Sequence, residues 1–89
     1  MIKTIVFSTD YEEITVNGLD GKHTHIKNNG PTSVFVATTP GIVPGADNVL
    51  RVCGGEHATL IETGDTIYIT GGEGVETIIY SNDDVRSPF

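Results

Sequence analysis

Eighty-nine residues fit a single domain, and with 37% of them hydrophobic and no tryptophan its core must be thin. The formal net charge is −7 and Lys3, Lys22, Lys27, Arg51 and Arg86 form no patch, so the chain is expected to bind neither nucleic acid nor an anionic membrane. Cys53 is the only cysteine, which excludes an intrachain disulfide and favours a reducing compartment, and no run approaches the ~20 apolar residues of a membrane span.

Threonine, valine, isoleucine and glycine are abundant, and no window holds a 3.6-residue apolar period. Short β-type runs recur instead, each bounded by a turn signal. The first covers residues 3–8; the opening stretch turns polar too soon for a signal peptide. The second, 13–16, is closed by Asn17-Gly18, and the third, 22–27, by Asn28-Asn29-Gly30-Pro31. In 33–38, Val34 and Val36 share one face and Phe35 takes the other. Residues 39–47 carry Pro40, Gly41, Pro44 and Gly45, which break a ladder and predict a long loop, a candidate functional segment. Strands are predicted again at 49–53, 57–62, 66–70 and 75–81, with Ile67 and Ile69 opposed to Tyr68. About eight strands joined by short turns predict an all-β, antiparallel sandwich or barrel, jelly-roll-like, over residues 1–89. The polar tail 82–89 is expected to be mobile, with Phe89 as a candidate anchor.

His23-Thr24-His25 is the sharpest local feature. Side chains two apart on a strand face one side, so both imidazoles can serve one metal, within a chain or on a symmetry axis. The plainer reading is two solvated rings. Cys53 and His57 have the chemistry of a thiol and its base, but the Gly54-Gly55 turn between them says nothing of contact. Cys53 reads more simply as a small apolar strand residue. Gly71-Gly72-Glu73-Gly74 lacks the lysine and helix of a phosphate loop and predicts a β-turn. Glu12-Glu13 and Asp83-Asp84 suit neither paired acid catalysis nor a calcium site and are expected to be solvated. Tyr11, Tyr68 and Tyr80 could together form a sugar-stacking platform, against the simpler role of packing at the core's edge.

NNGPTSVFVATTPGIVPGADNVLRVCGGEHATL, followed by DTIYITGGEGVETIIYS, resembles small virion proteins of tailed phages and prophages, of the head-fibre or decoration type. The likeness spans about residues 20–81 and rests on turn spacing and strand type. It implies a non-enzymatic virion component, made in the bacterial cytoplasm, that binds a capsid or its own copies, most simply as a homotrimer. Some phage fibres hold iron with His-X-His pairs around a three-fold axis, usually near the C-terminal tip. His23 and His25 match that pattern but lie in the first third of the chain. They are the candidate metal ligands, and no catalytic residue or other cofactor is expected. Two other classes compete: a carbohydrate-binding sandwich, and a cupin-like metalloenzyme using His23, His25 and His57. The last lacks the glycine-spaced histidine and glutamate set of such enzymes.

Overall fold

The computed structural model describes residues 2–17, 23–60 and 65–81. These hold eight strands: β1 (Ile2–Val6), β2 (Glu12–Val16), β3 (Thr24–Asn28), β4 (Val34–Ala37), β5 (Leu50–Val52), β6 (His57–Leu60), β7 (Ile67–Gly71) and β8 (Glu76–Ser81). No helix occurs among the described residues. Every strand overlaps one of the runs read from the sequence, with ends shifted by at most two residues. The tail, Phe89 and Asp83-Asp84 lie outside the described residues.

Four strands form sheet A in the order β1-β8-β3-β6, and four form sheet B in the order β2-β7-β4-β5. All pairs are antiparallel. The first strand pairs with the last, the second with the seventh, the third with the sixth and the fourth with the fifth. That is one long hairpin rolled on itself, and the β3·β8 and β4·β7 pairs close each sheet. Two packed sheets wound this way make a β-sandwich of jelly-roll topology.

The period of two decides which residues fill the space between the sheets. Ile5, Ile26 and Ile79 enter from sheet A, and Val16, Val34, Val36, Val52, Ile67 and Ile69 from sheet B; Phe7 and Val75 complete the buried cluster. Almost all are β-branched, so they are stiff and pack well on a pleated surface. Phe7 is the one large ring in this core. A Cβ on Gly71 would come within 2.9 Å of that ring and 2.8 Å of Val34 Cγ1, so only glycine lets β7 pass there.

One fully buried polar side chain ties the sheets together. Asn28 ends β3, and its Nδ2 donates to the carbonyls of Thr32 at 2.8 Å and Val52 at 2.9 Å. Its Oδ1 accepts from the Gly30 amide at 2.8 Å, across a turn that contains the cis Gly30-Pro31 bond. A buried amide with each end satisfied specifies a unique arrangement of β3, the turn and β5.

Glu13 is exposed, as expected of a solvated carboxylate, and Glu12 is half-buried. They face opposite ways, as strand neighbours must, yet both are engaged. Glu12 Oε1 accepts from the Ser8 amide at 3.1 Å and the Ser8 hydroxyl at 2.9 Å. Glu13 Oε1 accepts from the amides of Gly41 at 3.0 Å and Ile42 at 2.8 Å, which pins the long loop over sheet B. The reason is that acceptor-only groups beside a loop rich in unpaired amides find donors.

Candidate functional surface on sheet A

The outward side of sheet A is built in rows set by strand register. Ile2, Tyr80, His25 and Thr59 stand opposite one another across all four strands. The next row is Thr4, Ile78, Lys27 and His57. Beyond it Val6 faces Glu76, whose Oε1 accepts from Asn29 Nδ2 at 2.9 Å.

Three rings gather at the centre of this face. His25 lies 5.0 Å from Tyr80 and 5.4 Å from His57, centroid to centroid, with interplanar angles of 24° and 16°. His57 and Tyr80 are 6.3 Å apart at 15°. The last separation is far shorter than the first two would give in a line, so the rings form a near-parallel triangle. Tyr80 reaches over β3 to place its hydroxyl 3.3 Å from His57 Nε2, and the hydroxyl donates when that nitrogen carries no proton. His25 Nδ1 and Thr59 Oγ1 are 2.9 Å apart. Lys27 Nζ donates to the Gly55 carbonyl at 3.1 Å, beside the ring cluster. Cross-strand aromatic contacts of this kind each contribute about 0.2–1 kcal/mol.

Apolar side chains extend the surface toward the edge strand. Ile2 is 60% and Val6 55% exposed, both on β1, and no described strand pairs with its free edge. The face therefore offers an apolar margin, a fixed aromatic centre, and hydrogen-bonding groups around it.

The sequence candidates separate. His23 is exposed and directly precedes β3, while His25 joins the ring cluster. No group of three or more His, Cys, Asp or Glu is placed to hold one metal ion among the described residues. The three tyrosines do not make one platform: Tyr80 is on sheet A, Tyr68 on sheet B, and Tyr11 in the β1–β2 connection. They alternate onto different layers because the chain changes sheet between them. Cys53 follows β5 and its amide donates to Glu56 Oε1 at 3.2 Å, while His57 turns to Tyr80. Gly71 belongs to β7, and the rest of the glycine segment is the turn into β8. The cupin-like reading would use His23, His25 and His57, but His23 is exposed ahead of β3 and the other two stand on the outer face while aliphatic side chains and Phe7 fill the interior.

Sequence reasoning grouped His57 with His25 only in the cupin-like alternative, and it did not join Tyr80 to them. The signal was available only through topology, because pairing the third strand with the sixth puts Lys27 opposite His57. Comparison with known proteins gives no match: no protein family fits the chain, and no curated protein or solved structure is detectably similar to it.

Proposed function

We propose that this chain is a non-catalytic assembly module, a virion structural component of the head-fibre or decoration type, that binds copies of itself through sheet A and presents the assembly to a capsid. The observation that carries the reading is the pairing of an open β1 edge with Ile2 and Val6 exposed beside it. Edge strands with apolar flanks pair with other chains unless charge or a covering segment blocks them, and the one charge on β1, Lys3, is off the outward face that carries Ile2 and Val6. A small domain with a thin core also gains most from burying such a surface. A second copy brings the same apolar strand and the same ring cluster, so the surface is suited to itself. The resemblance noted in the sequence favours a trimer.

Light scattering of purified protein at micromolar concentration is the test. A mass of three chains is expected. Val6→Lys adds a second lysine to the open edge strand, on the face of Ile2, and should return the protein to single chains. A monomer at every concentration tested overturns the reading.

A further inference from the structure

Where the outer side of β4 and β5 meets the β1–β2 connection, the β3–β4 turn and the β7–β8 turn, these elements surround an open cleft of about 440 Å³. That lies within the size of small-ligand sites. Its lining includes two aromatic rings, Tyr11 and Phe35, and the charged groups of Arg51, Asp10 and Glu73. We infer that this cleft is a binding site for a neutral glycan, with Tyr11 as the stacking surface and Arg51 and the two carboxylates as hydroxyl readers.

Tyr11 carries the argument furthest. It sits at φ 58, in the left-handed region that side-chain-bearing residues seldom adopt. Yet it is 63% exposed, and its hydroxyl has no partner among the described residues. Only its backbone is held, the amide donating to the Gly71 carbonyl at 2.8 Å. The φ closes the Thr9–Glu12 turn, in which the Glu12 amide donates to the Thr9 carbonyl at 3.4 Å, and that turn leaves a large exposed ring lining the cleft.

The polar groups are oriented and still open. Arg51 Nε donates to Ser33 Oγ at 3.0 Å, which fixes the guanidinium plane. Its terminal nitrogens have no partner among the described residues. Asp10 Oδ1 accepts from the Glu73 amide at 2.8 Å, leaving its second oxygen and the Glu73 carboxylate open. Planar forks of donors and acceptors can each engage two neighbouring hydroxyls. The C–H face of a sugar ring meets the electron-rich face of an aromatic one. Two carboxylates against one guanidinium, on a chain of net charge −7, disfavour an acidic sugar.

The probes are maltohexaose, cellohexaose and chitohexaose, with hexagalacturonate as the acidic counterpart, each followed by amide chemical shifts. At least one neutral oligosaccharide should shift the Tyr11 and Glu73 amides saturably. Tyr11→Gly tolerates the positive φ and removes the ring, so it should fold normally and bind at least about tenfold more weakly. Arg51→Gln should weaken binding as well. No saturable shift with any neutral probe up to about 10 mM, a weak limit by affinity arithmetic, overturns the inference. So does undiminished binding by Tyr11→Gly, or tighter binding of hexagalacturonate.

Discussion

The two sheets have the same number of strands, but sheet A turns Thr24, Asn28 and Thr77 inward beside its isoleucines while the inner side of sheet B is aliphatic, and their outer faces differ as well. On sheet B the outward residues Thr70 and Ala37 are 3% and 5% exposed. On sheet A the outward residues of the two central strands, His25, Lys27, Ile78 and Tyr80, are all half-buried, and Ile2 and Val6 on the edge strand are more than half exposed. The difference follows from how the chain is wound. Each connection but one carries the chain from one sheet to the other; β4 and β5 are both in sheet B, and the long loop joins them. That loop can fold back over sheet B, and Glu13 holds it there through Gly41 and Ile42. Asn48 Nδ2 also donates to Thr39 Oγ1 at 3.2 Å and draws the loop's two ends together. No described loop returns over sheet A in this way. A sheet face is covered by the chain itself only where topology supplies a long return connection.

The largest effect should come from the core the two sheets share. Ile69 and Val36 meet across β7 and β4 with their side chains between the sheets. Ile69→Asp or Val36→Asp buries a carboxylate with no cation near it and should cost several kcal/mol, enough to unfold so small a domain. Loss of the cooperative thermal transition is the expected result. A melt close to the parent's would mean that the two sheets do not share one core.

Next is the contact that makes the two faces unequal. Glu13→Ala removes the acceptor for two loop amides, and hydrogen bonds to a charged group contribute about 1.5–3 kcal/mol each at most. Because the site is exposed, a total loss of about 1–2 kcal/mol is expected. Hydrogen exchange should rise at Gly41 and Ile42 and stay unchanged in β3 and β8. Uniform acceleration across both sheets would show that the loop does more than cover sheet B.

Much of this contrast was legible in the residues. Alternation in Val34-Phe35-Val36 and Ile67-Tyr68-Ile69 fixed which side chains face inward, and the Pro40-to-Asp47 segment was recognisable as a loop. What alternation cannot provide is the partner across the sheet. Glu13 reads as a solvated carboxylate, and nothing near it in sequence shows the loop 28 residues away that is folded onto it. His25 reads as the neighbour of His23 until β6 brings His57 beside it and β8 brings Tyr80. The three tyrosines read as a set until winding sends them to separate layers. Local pattern thus gave the strands and the core, while long-range pairing assembled both candidate sites.

A smaller effect, opposite in sign, is expected inside the sandwich. Thr77 Oγ1 is buried on the inner side of β8 and has no hydrogen-bond partner among the described residues. An unsatisfied buried hydroxyl costs about 1–3 kcal/mol, and valine has nearly the same shape. Thr77→Val should therefore raise stability by about 1 kcal/mol, a Tm increase of about 4–8 °C for a domain of this size. Thr70→Val applies the same logic on sheet B, since Thr70 Oγ1 also has no partner among the described residues. A drop in Tm for both would indicate that the hydroxyls take part in hydrogen bonds.

The smallest change in fold stability is expected on the bare face, at Val6. Its side chain is more than half exposed, so little apolar area is lost when it is replaced. Surface substitutions of this kind usually stay within about 0.5 kcal/mol. Its cross-strand neighbour is Glu76, so a lysine at position 6 gains an opposite charge directly across the ladder. Both arguments predict that Val6→Lys melts within about 2–4 °C of the parent when each is studied as single chains. The same substitution places a charge on the free edge of β1, where a second chain would have to pair. Stability of the fold and association of copies should therefore come apart in this variant. Urea unfolding at low protein concentration, run beside light scattering at high concentration, measures both. An unchanged midpoint with lost association fits a face built for contact with other chains. A destabilised monomer would instead make Val6 part of the fold's own packing.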